Sequence, residues 1–249
     1  MLPFPELDFR RTPVTLIIAA VAVALEVVCS LDEPRRLHYY NAAFGILPSI
    51  WSGEVWRPFT TALMHGSLVH AAFNVLMFVT FGPPLESRFG SFRFLGLVVL
   101  LGYLSMLPQF LVSTYDGGPL PMIVGLSGIL YGLFGILLVG RRWHLDLAMV
   151  CDANTVQFLI FWFFLCILLS YTGLLPVANT AHGAGLLFGV LFGLAIFDLP
   201  HRIRWRVLAV VSTLLVLATL IACPGHPYYD HVKKTNQLRQ FLQQFEKPD

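Results

Sequence analysis

Long apolar runs, separated by short clusters of glycine, proline and charge, set the frame of this chain. The first, V-T-L-I-I-A-A-V-A-V-A-L-E-V-V-C, follows Thr12-Pro13, a helix start at which proline's missing N–H costs no hydrogen bond. A second run leads from about Ser67 to Gly82-Pro83-Pro84, where the prolines predict a break or kink, with Glu86 and Arg88 in a tight connection beyond. A third covers Phe92 to about Val112. A fourth opens with Met122 to Gly135, M-I-V-G-L-S-G-I-L-Y-G-L-F-G, and stops at Arg141-Arg142. The fifth spans Val156 to about Leu175, the sixth Asn179 to Leu199 and the seventh Val207 to Cys223. Gly, Pro or charge punctuates each boundary.

The connection from Asp32 to Trp56 is too polar and too broken by proline to cross a bilayer, and Tyr39, Tyr40, Trp51 and Trp56 suit the interface. A helix entering the membrane at Arg57 would carry His70 to a depth of roughly 20 Å at 1.5 Å per residue. Arg57 to Gly66 is therefore expected to skirt the surface, with the crossing begun near Ser67 and His70 about one turn inside.

Composition turns these runs into membrane spans. The 249 residues are 57% hydrophobic and only 12% charged, with a mean hydropathy of +0.73, against roughly 25% charged in soluble domains. An all-α membrane protein of one domain follows, with about seven spans at roughly 20 residues each and little left for a separate soluble domain. A net charge of +2 is too small to imply nucleic acid. Cys29, Cys151, Cys166 and Cys223 show no C-x-x-C spacing, so free thiols are expected rather than disulfides or a metal site.

Arg10-Arg11 before an apolar run resembles a signal peptide, but no small-x-small site follows and Glu26 interrupts the pattern, so an uncleaved span is expected. Glu26 itself is expected to snorkel to the interface. With the N-terminus cytoplasmic, the inner segments hold Arg10, Arg11, Arg88, Arg93, Arg141, Arg142, Arg202, Arg204 and Arg206, and the short outer ones only Arg35, Arg36 and Arg57. That asymmetry obeys the positive-inside rule. It divides the chain into a cytoplasmic segment (1–13), a six-span core (14–199) with an interfacial first loop (32–66), a seventh span (200–223) and a non-cytoplasmic tail (224–249). In the tail Leu238, Phe241, Leu242 and Phe245 share a helical face, which fits an interfacial or a solvated helix.

Polar residues inside the spans gather at one level. Counted along the helices, His70, Asn74, Ser127 and His182 fall roughly 5 to 12 Å below the outer surface. His70 and Asn74, four apart, project from one face and can bind a common oxygen, or act as interhelical glue. His65, five residues before His70, turns away from that face and is expected to tie the loop to backbone groups. Ser127 among Gly125, Gly128, Gly132 and Gly135 fits plain helix packing as well as catalysis. Glycines at 185, 189 and 193 in the sixth span allow close approach of a second helix, and His182 lies on it. Tyr131, one turn beyond Ser127, can pack on the His182 ring. No acidic residue occurs in the fourth or sixth span, so a Ser-His dyad is what these residues can form, with His70, Asn74 and the Ser127 N–H around an oxyanion.

W-R-P-F-T-T-A-L-M-H-G-S-L-V-H-A-A-F-N, E-S-R-F-G, G-L-S-G-I-L-Y-G and N-T-A-H-G-A-G-L-L-F-G, in that order, resemble a rhomboid intramembrane serine protease from about Trp56 to Phe197. The resemblance implies a six-helix catalytic core with a seventh C-terminal helix added. It implies Ser127 as nucleophile, His182 as base, His70 and Asn74 in the oxyanion hole, Gly125 shaping the turn and Tyr131 stacking on the histidine. Gly185 and Gly189 would permit helix contact, and Trp56 and Arg57 match the first-loop motif. Also implied is a substrate that is another protein's transmembrane segment, cut near its outer end after entering beside the fifth span. No H-E-x-x-H occurs to bind zinc, so no metal or cofactor is expected, and the compact chain favours a bacterial inner membrane as the setting. A rhomboid-like fold that binds membrane clients without cutting them is the alternative; such relatives usually lack the serine or the histidine. A transporter would want ionisable pairs across the bilayer and repeat symmetry, whereas here the polar residues gather on one side only.

Overall fold

The computed structural model describes residues 11–243, so Arg10 and Phe245 lie outside the described residues, as do the side chains of Phe241 and Leu242. The helices in chain order are α1 (Pro13–Leu31), α2 (Glu33–Tyr39), α3 (Arg57–Thr60), α4 (Leu68–Phe89), α5 (Ser91–Ser113), α6 (Ser127–Gly140), α7 (Leu145–Val150), α8 (Ala153–Tyr171), α9 (Asn179–Phe197), α10 (Arg202–Ala218) and α11 (Pro227–Gln243). No strand occurs among the described residues, and the all-helical class read from the sequence holds. Helices α1, α4, α5, α8 and α9 are long and apolar enough to cross a membrane.

Helix α6 is the centre of the bundle. Every residue from Gly128 to Leu137 is buried, as expected of a helix that is apolar all round. Its 14 residues rise only about 21 Å, short of the roughly 30 Å hydrocarbon layer. The fourth run is thus not helical from Met122: residues 122–126 approach without helical structure, and Ser127 is the first residue of α6 rather than one turn into it. Gly125, at φ +115°, makes the difference, because that conformation cannot belong to a right-handed helix.

The second span also departs from expectation. Helix α4 runs on through Pro83 and Pro84 to Phe89. Tertiary contact holds its last turns: Glu86, fully buried, accepts from the Val14 N–H at 2.9 Å, the Thr15 N–H at 2.8 Å and the Thr15 hydroxyl at 2.7 Å. Thr12 gives α1 no side-chain cap, so a carboxylate from another helix satisfies donors that a helix start leaves open. Glu86 belongs to the helix interior, not to a tight connection.

Glu26 does not snorkel. It is 1% exposed and pairs with Arg36 at 2.7 and 3.1 Å, with the Ser30 hydroxyl donating at 2.9 Å. An arginine from α2 folds back to meet it, which no local pattern foretells.

The first loop is compacted by Arg57. Its guanidinium, 3% exposed, donates to the carbonyls of Tyr40, Asn41, Ala42 and Gly45 and pairs with Glu54. Four carbonyls and a carboxylate replace the water that a buried cation loses. Trp56 stays half exposed and donates to the Ala43 carbonyl at 3.2 Å.

Helix α10 begins at Arg202, ahead of the expected Val207, and takes in Arg204 and Arg206. The start of α11 docks on the protein: Trp51 meets the rings of His226 and Tyr229 at 5.2 and 5.4 Å, and Tyr228 donates to the Gly118 carbonyl at 2.6 Å. Leu238, further along, is exposed. Cys151 and Cys166 are buried free thiols and Cys223 a half-buried one, while Cys29 is buried.

Candidate active site

Helices α6 and α9 touch backbone to backbone. A methyl group at Gly185 would collide with the Gly128 carbonyl, and one at Gly189 with the Gly132 carbonyl. At Gly135 a β-carbon would lie 2.7 Å from the Val190 nitrogen. Such small-residue seams let membrane helices pack far closer than side chains otherwise allow. His182 stands three residues before Gly185 and Ser127 one before Gly128, so the same seam carries the imidazole to the hydroxyl. His182 Nε2 lies 2.8 Å from Ser127 Oγ, and the ring is 4% exposed.

The segment leading to Ser127 is pinned on its way in. The Ile123 N–H donates to the Tyr40 hydroxyl at 3.1 Å, that hydroxyl donates to the Pro121 carbonyl at 3.2 Å, and the Thr61 hydroxyl donates to the Ile123 carbonyl. Gly125 then turns the chain against α4: a β-carbon there would be 2.9 Å from His70 Nε2 and 3.6 Å from Asn74 Nδ2. His70 Nδ1 accepts from the Gly66 N–H at 3.4 Å, which leaves the ring proton on Nε2, toward Gly125. Asn74 is buried and its Nδ2 has no hydrogen-bond partner among the described residues. Ser127 opens α6, so its N–H is one of those a helix start leaves free. Donors therefore converge around Gly125 and Ser127.

Tyr131 lies with its ring 4.8 Å from that of His182, tilted by 35°, and its hydroxyl donates to the Leu159 carbonyl of α8 at 3.2 Å. His65 is placed otherwise than the helical count implied. Its ring sits edge-on to His70 at 5.1 Å, and neither ring nitrogen has a hydrogen-bond partner among the described residues. Ser67 is extended (φ −168°), so the helical count across 65–70 does not apply. The backbone of His65, not its ring, is tied down, since its carbonyl accepts from Arg36. Trp56 and Arg57 lie in the first loop, away from the Ser127–His182 contact.

Several residues at the site escaped sequence reasoning. Gln109 Oε1 accepts from the Ala181 N–H at 3.1 Å, fixing the turn that bears His182. An amide inside an apolar run is a signal that could have found it. Tyr40 and Thr61 carried no such signal, because their partners are far away in sequence; Glu26, a charge inside an apolar run, did carry one, but not the fold-back of α2 that brings Arg36 to it. Among the described residues no group of three or more His, Cys, Asp or Glu side chains is gathered to hold a metal ion.

The Rhomboid domain family matches residues 52–199. The chain is 31% identical over 197 residues to the rhomboid protease GlpG of Serratia proteamaculans, covering 78% of this chain and 65% of that protein. It is 27% identical over 194 residues to the rhomboid protease GlpG of Enterobacter sp., covering 77% and 66%. With the rhomboid protease GlpG of Salmonella typhi it shares 29% over 181 residues, covering 73% and 62%. The chain thus spans less than two thirds of the length of these relatives. The family match covers more than half of the chain, from the first loop through α9, and agrees with its apolar helices: the chain is an integral, multi-pass membrane protein and belongs to the rhomboid family.

Proposed function

We propose that the chain is an intramembrane serine endopeptidase that cuts transmembrane segments of other membrane proteins near their outer end. The observation that carries this reading is the 2.8 Å contact between Ser127 Oγ and His182 Nε2, beside a group of donors. Neutral His182 accepts the hydroxyl proton as Ser127 Oγ attacks the scissile carbonyl. His70 Nε2–H, Asn74 Nδ2–H and the Ser127 N–H stabilise the oxyanion that forms, in a site whose low polarity strengthens each of them. The His182 proton then passes to the leaving amine, and the C–N bond breaks. Water, deprotonated by the same imidazole, attacks the acyl carbon and releases the new carboxylate and Ser127. Tyr131, packed against the His182 ring, fixes its orientation, and Gly125 keeps the turn narrow enough for His70 and Asn74 to reach.

Helix α8 supports lateral entry of the substrate. Only 11% of its apolar window is buried, against 50% for α9, so it is the membrane helix most easily displaced. Phe73 of α4 meets Trp162 of α8 at 5.5 Å across that gap. Residues 14–199 form the catalytic core in this reading, with 32–66 on the outer surface, 200–223 as a seventh span and 224–249 outside. The arginine asymmetry supports a cytoplasmic N-terminus, and the bacterial relatives an inner membrane.

The test is cleavage of a single-span reporter in vesicles by the purified chain and by Ser127→Ala and His182→Ala. Fragments from the wild type alone support the reading. Capture of the reporter without fragments would favour a client-binding rhomboid-like protein instead.

A further inference from the structure

The buried ion pair between Glu26 and Arg36 has no part in the chemistry above, yet it lies where such a pair is costly. Glu26 is 1% and Arg36 5% exposed, and removing two charges from water is costly unless other bonds compensate. Arg36 Nη1 does more than neutralise Glu26: it also donates to the His65 carbonyl. The next residue, Gly66, gives its N–H to His70 Nδ1 at 3.4 Å. A continuous path therefore runs from the α1 carboxylate, through the guanidinium and the 65–66 peptide, to the ring whose other nitrogen faces Gly125.

We infer that Glu26 and Arg36 are positioning residues for the oxyanion hole: they fix the Gly66 N–H, and with it the tautomer and orientation of His70. The inference rests on the proposed protease reading. Each link has a distinct task. Glu26 holds the guanidinium through both terminal nitrogens, at 2.7 and 3.1 Å, in the planar fork that arginine offers and lysine does not. Arg36 then fixes a peptide in a non-helical turn, where no helical hydrogen bond orients it. His65 fills the space between with an uncharged ring against His70. With the peptide free to rotate, His70 Nδ1 loses its donor, and the proton needed on Nε2 is no longer assigned there.

The experiment compares the full chain with the double variant Glu26→Leu/Arg36→Met and the single variant Arg36→Lys, reading thermal unfolding, kcat and KM on the vesicle reporter. The double variant removes both charges at once, which for buried pairs is commonly neutral or stabilising. Arg36→Lys keeps the pair but loses the fork. The expected result is folded protein with unchanged KM and a kcat reduced about ten- to a hundredfold, approaching the cost of deleting an oxyanion donor. Wild-type kcat in either folded variant overturns the inference and leaves the protease reading intact. Absence of Ser127-dependent cleavage in the wild type overturns both.

Discussion

The carbonyl oxygen of Gly128 occupies the space that a β-carbon at residue 185 would need, so α6 and α9 meet without side chains between them. The Ser127–His182 contact follows from that approach. Gly185→Ala and Gly189→Ala are each expected to destabilise the protein by about 3 kcal/mol, the upper part of the overpacking range, because the obstacle is backbone. Gly183→Ala, on the same helix, is the control: its methyl would meet only Phe163, at 3.9 Å. Thermal unfolding in detergent checks this, and equal stability of the 183 and 185 variants would contradict a backbone seam.

Gly125 combines a left-handed conformation with crowding by His70. At φ +115° any side chain is strained, and its β-carbon would lie 2.9 Å from the imidazole. Gly125→Ala is expected to lower kcat by about a hundredfold or more, as is Asn74→Ala, which removes a donor. Only the glycine variant should also lower the unfolding temperature substantially. Steady-state cleavage beside thermal unfolding separates the two effects.

Glu86 caps α1 from α4. Glu86→Gln replaces one acceptor oxygen by a donor facing donors and removes the charge, so a loss of about 2 kcal/mol or more is expected, given roughly 1.5–3 kcal/mol for hydrogen bonds to charged groups. Thr15→Val, which deletes one of the bonds, should cost less. Unfolding of both variants checks the order.

Burial, then the neighbouring His70 charge, pushes His65 down from 6.5 to about 3. The unfolded chain therefore binds a proton near pH 6.5 that the folded chain refuses until about pH 3. Stability from this group is complete above pH 6.5 and declines as the pH falls toward 3, by up to about 1.4 kcal/mol per pH unit. His65→Gln removes that dependence. Between pH 7 and pH 5 the wild type is expected to lose more stability than the variant, and parallel curves would contradict a buried neutral ring.

Much of the site was legible because its geometry is local or periodic. The glycines at 128, 132, 185 and 189 announce a close helix pair, and one level of depth joins Ser127, His182, His70 and Asn74. Helical counting failed where the backbone is not helical: Gly125 keeps the helix from starting before Ser127, and extended Ser67 turns His65 toward His70. Composition failed where distant partners decide. Glu26 is read as a snorkelling acid until Arg36 folds back, and Pro83-Pro84 as a stop until the α1 contact at Glu86 holds the helix together. Docking of α11 through Trp51 and His226 spans more than half the chain, beyond the reach of any local pattern.

The central claim is that His182 activates the Ser127 hydroxyl. A fluorophosphonate probe applied to the chain in vesicles, with the adduct located by mass spectrometry, tests it most directly. The expected result is a single adduct on Ser127 that His182→Ala abolishes. An adduct elsewhere, or undiminished labelling of Ser127 without the imidazole, would contradict it.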